Sequence, residues 1–200
     1  MKYILLLSGD YIDLAKEEII SLFDSIDYKL VNNLSIIDLK NDTKSINKLS
    51  QRLALTKSIY KLLFECKVNE LIKIMQNYEW NSIYKDNFCL RIHYLNKNKK
   101  NPTKNKNIKK YQEKDLAKYI WHSVANPKVN LSNPKTKIEL FFIGNSAYCG
   151  LLVKEIHENF EARKSHKRPF PSASSLHPKL ARALVNITGV KENEILLDPF

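Results

Sequence analysis

Residues 2–26, KYILLLSGDYIDLAKEEIISLFDSI, set a short apolar run directly before a segment whose apolar side chains recur every three or four positions. Lys2 to Ser8 reads as a buried strand. Ile12, Ala15, Ile19, Leu22, Phe23 and Ile26 then form the stripe of an amphipathic helix over Tyr11 to Ile26, with Asp10 placed to cap its N-terminus. Working outward, Tyr28 to Val31 and Ser35 to Lys40 read as two strands parted by the turn signal Asn32-Asn33. A helix over Thr43 to Ala54 and a strand over Ser58 to Cys66 complete the order β-α-β-β-α-β.

That order is the one of a ferredoxin-like domain, a fold that serves many functions and so decides none. A helix over Asn69 to Asn77 leads to Trp80, and a second α/β unit follows. Its pieces are a strand at Phe88 to Leu95, a helix at Glu113 to Val124, a short strand at Val129 to Leu131, and a hairpin. The hairpin pairs Lys137 to Ile143 with Ala147 to Ile156 around Gly144-Asn145-Ser146. Near the C-terminus a helix runs from Pro178 to Ile187, Thr188-Gly189 stops it, and Leu196-Leu197-Asp198-Pro199-Phe200 reads as a strand closing on an acid. In nucleotide-type α/β domains, ligands sit beyond the carboxyl ends of parallel strands, so this ending reads as the start of such a domain, truncated.

Composition narrows the partners. The 200 residues are 44% hydrophobic, enough for ordinary cores, and contain no apolar run of membrane-spanning length and no signal-peptide pattern. Cys66, Cys89 and Cys149 are odd in number and far apart, which gives no disulfide framework or zinc spacing and fits a reducing cytoplasm. Lys and Arg number 33 against 21 Asp and Glu, a formal charge of +12 that draws polyanions, nucleic acid first and an anionic membrane second. His93, His122, His157, His166 and His177 show no metal-ligand spacing. With four glycines and no phosphate-cradling motif, no catalytic residue and no metal ligand is assigned.

Between Asn96 and Lys110 stand Lys97, Lys99, Lys100, Lys104, Lys106, Lys109 and Lys110 with no acid among them. Alone, the block reads equally as a solvated loop or as an arm that contacts phosphates. Arg91 on the preceding strand and a second cluster, Arg163, Lys164, Lys167 and Arg168, add to the second reading, since sequence-independent affinity is made of Lys and Arg contacts to phosphate. Tyr94, Tyr111, Trp121, Phe160 and Phe170 interleave with these basics and could stack on unpaired bases. Trp121 reads as core, because it lies beside the stripe Leu116, Ile120 and Val124; Phe170, between Pro169 and Pro171, stays open.

Three stretches together resemble one family. Arg52-Leu53-Ala54-Leu55-Thr56-Lys57 is similar to the end of its N-terminal ferredoxin-like region. Phe88-Cys89-Leu90-Arg91-Ile92, Lys128 to Pro134 and Ile138-Glu139-Leu140 resemble a THUMP domain, the RNA-binding module of several tRNA-modifying enzymes. Lys167-Arg168-Pro169-Phe170, Leu176 to Asn186 and Leu197 to Phe200 resemble the junction into the methyltransferase domain of archaeal-type tRNA guanine-N2 methyltransferases, which modify guanine 10. In that family Asp-Pro-Phe is followed by Cys-Gly and a glycine-rich turn that holds S-adenosylmethionine, and later by Asp-Pro-Pro-Tyr; this chain has neither.

The resemblance implies an α+β architecture: a ferredoxin-like domain over 1–80, an α/β THUMP domain over 81–156, a basic linker over 157–176, and the first helix and strand of a truncated Rossmann-like methyltransferase domain over 177–200. It implies that Arg91 and the lysine block grip the acceptor end of tRNA. Phe170, Ser175, Leu176, Asp198, Pro199 and Phe200 would form one wall of the S-adenosylmethionine pocket. The chain alone is expected to be inactive and to bind no cofactor, its partners being tRNA and a C-terminal methyltransferase half, encoded separately if the enzyme is split. The alternatives are a stand-alone THUMP-type RNA-binding module and part of another THUMP-bearing enzyme, such as one of thiolation. The segment Leu176 to Phe200 is expected to pack poorly without the domain that follows.

Overall fold

The apolar run after Lys2 forms β1 (Lys2–Leu7), with Ile4 and Leu7 fully buried. The computed structural model describes residues 1–23, 27–39, 43–95, 111–167, 169–170 and 175–198. After β1 come α1 (Ile12–Leu22), β2 (Tyr28–Val31), β3 (Leu34–Asp38), α2 (Thr43–Arg52), β4 (Thr56–Lys67), α3 (Leu71–Asn77) and β5 (Phe88–Tyr94). Then follow α4 (Glu113–Ser123), β6 (Thr136–Ile143), β7 (Ser146–Glu155) and α5 (Pro178–Ile187), with short 3-10 turns at Trp80–Ser82, Phe160–Arg163 and Ser165–Lys167. The strands make one seven-stranded sheet in the order β2-β3-β1-β4-β7-β6-β5, so the chain is of mixed α/β class, as its sequence indicates.

By compactness the chain divides into residues 1–59 with 154–200, and residues 60–153. In the first unit β3 runs antiparallel to both β1 and β2, with Tyr3 and Tyr28 each opposite Ile37. Asn32, at a φ of +58°, makes the tight β2–β3 turn in the left-handed region that asparagine tolerates. The core joins Leu5, Leu7, Ile19, Ile37, Leu53 and Leu55 to Ala183 of α5. In the second unit β5 pairs parallel with β6, Leu90 opposite Ile138. A parallel pair needs a long crossover, and α4 lies on it. Its core sets Leu71, Met75 and Trp80 against Phe88, Leu116, Ile120 and Leu140. Trp80 is fully buried and its indole N–H donates to the Met75 carbonyl at 2.8 Å.

Several local expectations are corrected. Tyr11, not Asp10, occupies the cap of α1 and makes no side-chain cap bond, and the helix closes at Phe23 in extended backbone. Val129 contributes a single bridge to Phe88 rather than a strand. Trp121 is 44% exposed: next to Ile120 in sequence, it turns about 100° off the buried stripe. The C-terminal strand does not form over 190–198; a strand needs a ladder partner, none lies alongside among the described residues, and Ile195 and Leu197 are 94% and 79% exposed. By contrast α5 packs through Ala183 and Asn186, which are buried, so of this segment the helix is anchored while Leu176 before it and Ile195 and Leu197 after it are exposed. Its start fits its sequence: His177 caps it by accepting from the Lys179 N–H at 3.2 Å, and Pro178 supplies the first helical position.

Candidate nucleic-acid interface

Arg91 projects from β5 as a half-buried side chain, and Glu113, in the first turn of α4, meets it. Arg91 Nη1 stands 3.1 Å from Glu113 Oε2, and Nη2 donates to the Leu131 carbonyl at 3.5 Å. Glu113 Oε1 also accepts the Ile92 backbone N–H at 3.2 Å, which fixes α4 to β5. Arg91 is therefore held within the second unit, and a phosphate reaching it would compete with a carboxylate. Lys97, Lys99, Lys100, Lys104, Lys106, Lys109 and Lys110 lie outside the described residues. Tyr94 and Tyr111 bracket that stretch, and both stack on Phe142 at 5.0 and 5.8 Å between ring centroids.

Arg163, Lys164 and Lys167 lie on two consecutive 3-10 turns of the first unit, Phe160–Arg163 and Ser165–Lys167, with Lys164 between them; Asn159 caps the first by accepting the Ala162 N–H at 3.1 Å. Arg168 lies outside the described residues. Arg163 meets Glu158 at 2.9 Å, and Lys164 meets Glu161 at 2.5 Å. The hydrogen bond from Lys164, with that of His177 at 3.3 Å, holds the exposed Glu161 carboxyl below its ordinary range. Phe160 is buried between two guanidinium groups, Arg163 at 5.1 Å and Arg182 at 5.2 Å from its ring, and Arg182 also reaches Glu158 at 3.2 Å. Sequence reading placed Arg163 among phosphate contacts and passed over Arg182. Only the fold brings α5 against the Phe160 turn.

Beside this cluster the first unit carries a groove of about 500 Å³ lined by Thr56, Lys57, His157, Phe160, His177 and Lys179, together with Glu155, Glu158 and Glu161. Its Glu158 and Glu161 are already matched by Arg163, Arg182 and Lys164. Lys57 carries no ion pair among the described residues, and Lys179 Nζ donates to Ser8 Oγ at 2.9 Å. The groove thus offers cationic and histidine side chains, among them His157, whose Nε2 lies 3.0 Å from Glu155 Oε2, to a charged group.

Of the S-adenosylmethionine wall expected from the sequence, Phe170 is 92% exposed, Leu176 is 53% exposed, and Ser175 and Asp198 are exposed. Pro199 and Phe200 lie outside the described residues. The four described side chains enclose no cavity for the cofactor. Among the described residues no helix is long and apolar enough to cross a membrane.

Comparison with known proteins adds what the geometry alone does not. Over 206 aligned residues, its whole length, the chain is 28% identical to the tRNA (guanine(10)-N2)-dimethyltransferase of Methanothermobacter thermautotrophicus, of which it spans 58%. In sequence the chain is similar to the tRNA (guanine(10)-N2)-dimethyltransferases. It is also 32% identical over 136 residues to that of Pyrococcus abyssi, an alignment that takes in 66% of this chain and 37% of the other. Residues 165–200 match the model of the RMKL-like methyltransferase domain. In fold the chain is similar to TrmN from Thermus thermophilus, with a TM-score of 0.60 at 13% identity over 94% of this chain and 54% of that one. The chain thus spans between 37% and 58% of the length of these curated relatives.

Proposed function

We propose that this chain is the RNA-gripping part of an S-adenosylmethionine-dependent tRNA guanine-N2 methyltransferase acting on guanine 10. The carrying observation is the similarity, over the whole of this chain and 58% of the relative, to a tRNA (guanine(10)-N2)-dimethyltransferase. In this reading residues 1–80 are the ferredoxin-like domain, 81–156 the THUMP domain, 157–176 a basic linker, and 177–200 lead into the methyltransferase domain, which supplies catalysis. The match of 165–200 to a methyltransferase domain and the +12 charge support the arrangement. Arg91, the lysines between Asn96 and Lys110, and Arg163, Lys164, Lys167 and Arg168 meet phosphates, which position an RNA without reading its sequence. S-adenosylmethionine supplies the methyl group in the complete enzyme. Three buried, free cysteines suit a cytoplasmic setting.

The test is binding of the chain to unmodified tRNA across a salt series. If about four cations meet phosphates of a largely duplex target, log affinity falls against log salt with a slope near ~−3 to −4. Replacing Lys97, Lys99, Lys100 and Lys104 with Ala then flattens the slope. An unchanged slope in that variant removes the lysines from the interface, and absence of tRNA binding at low salt overturns the RNA-gripping role.

A further inference from the structure

The outward face of α4 is the feature that the lysine clusters do not account for. At about 100° per residue, Lys114, Lys118, Trp121 and His122 fall within roughly a 100° arc opposite the buried Leu116 and Ile120. All four are exposed. Trp121 is a large aromatic at 44% exposure whose indole N–H has no partner among the described residues. Lys118 Nζ stands 5.1 Å from the Tyr119 ring, and neither Lys114 nor Lys118 meets a carboxylate among the described residues. Asp115, at the margin of the arc, is its single acid and forms no ion pair among the described residues. A tryptophan standing proud beside two unneutralised lysines combines a flat π surface with anion attraction, and both suit an unpaired nucleic-acid strand.

We infer that the Lys114–Lys118–Trp121–His122 face of α4 is a binding site for unpaired RNA, with one base stacked on Trp121 and the adjoining phosphates met by Lys118 and Lys114. Lys114 stands in the first turn of the helix, whose electropositive end also favours a phosphate, Lys118 stands at mid-helix, and Trp121 lies one turn further on. Charge complementarity favours a polyanion on this face, since the protein carries a formal charge of +12, and of polyanions a nucleic acid also supplies flat rings to the indole. The inference rests on the RNA-gripping reading but can fail separately from it.

The chain has two tryptophans, and Trp80 is fully buried, so Trp121 is the fluorophore that a bound base can reach. The full chain is titrated with oligouridylate and with tRNA, following labelled-RNA anisotropy for binding and tryptophan emission for stacking. Binding should quench the emission, and Trp121→Phe should abolish the quench while Trp121→Ala weakens oligouridylate binding about tenfold. Lys114→Ala and Lys118→Ala should each reduce the single-strand salt slope by about 0.7. Heparin, a polyanion without bases, should bind without quenching. RNA binding with unchanged emission, or equal quenching by heparin, overturns the stacking site and leaves the RNA-gripping reading intact; no RNA binding by anisotropy overturns both.

Discussion

Asn186 Nδ2 donates to Glu18 Oε1 at 2.7 Å, and both side chains are buried. The same Oε1 accepts the Ala54 N–H at 2.8 Å, Oε2 accepts the Leu55 N–H at 2.9 Å, and Asn186 donates again to the Arg52 carbonyl at 2.9 Å. A fully buried carboxylate survives only when its lone pairs are matched, and here backbone and amide donors match them. The effect is to tie α1, the end of α2 and α5 into one body. Residues 165–200 match a methyltransferase domain, yet the helix within them is built into the first unit.

Glu18→Ala strands two backbone N–H groups and the Asn186 amide in an apolar core, and the expected loss is roughly 3 kcal/mol or more. Asn186→Ala costs less, about 1.5 kcal/mol, because Glu18 keeps its backbone donors. The two changes share one network, so the double variant should lose at least about 1 kcal/mol less than the sum of the singles. Urea unfolding of the four proteins measures this. Strict additivity would show that Glu18 and Asn186 contribute independently and that their hydrogen bond does not couple α1 to α5.

The bonding of Glu18 marks where the sequence stops being legible. Strand and helix positions followed from periodicity because each element carries its own apolar pattern; β6 and β7 were found within a residue or two of their ends. Glu18, by contrast, is a charged residue beside the apolar stripe of an amphipathic helix, and its partners are 36 to 168 residues away. Trp121 misled for the opposite reason: a tryptophan next to a buried stripe reads as core until the turn of the helix is counted. Arg163 and Lys164 were visible as charge, but their pairing with Glu158 and Glu161 depends on a short helical turn that no periodicity announces.

Gly150 lies on β7 with Tyr60 against it, so a Cβ there would come within 2.8 Å of Tyr60 Cβ. The offending atom is next to the backbone and cannot swing away. Gly150→Ala should therefore destabilise the second unit by about 1–3 kcal/mol despite the gain in strand propensity. Thermal melts should show it, and a variant as stable as the parent would mean that β4 yields locally at Tyr60.

Arg182 and Arg163 flank Phe160, but they should not be equivalent. The Arg182 side chain is 27% exposed and donates to the Gln51 carbonyl at 3.3 Å, whereas that of Arg163 is 48% exposed. Arg182→Ala is expected to cost about 1 kcal/mol through lost packing on the ring and the vacated carbonyl. Arg163→Ala should cost less than half of that and express itself in RNA affinity. Comparing unfolding midpoints with tRNA binding for the pair separates the structural arginine from the phosphate-binding one; the reverse ranking would exchange their roles.

Glu139, buried on β6, gives the protein a pH-dependent component of stability. Burial alone would raise its pKa, but His93 and the Tyr60 hydroxyl outweigh burial, with Lys137 helping, so the carboxyl titrates below its ordinary value of 4.5. Tyr60 donates to Oε2 at 2.9 Å, Lys137 Nζ stands 3.4 Å from Oε1, and His93 Nε2 lies 2.8 Å from Oε2, close enough for ion pairing though not aligned as a hydrogen bond. A lowered folded pKa means that the stabilisation is complete above the ordinary value and is lost as pH falls through the folded one. Tyr60→Phe keeps the ring against Phe141 and removes one donor. It should cost about 1.5–2 kcal/mol at pH 7 and less at an acid pH below the folded pKa of Glu139, where the carboxyl is protonated. Equal losses at both pH values, measured by urea unfolding, would show that the tyrosine hydroxyl does not support the charged form of Glu139.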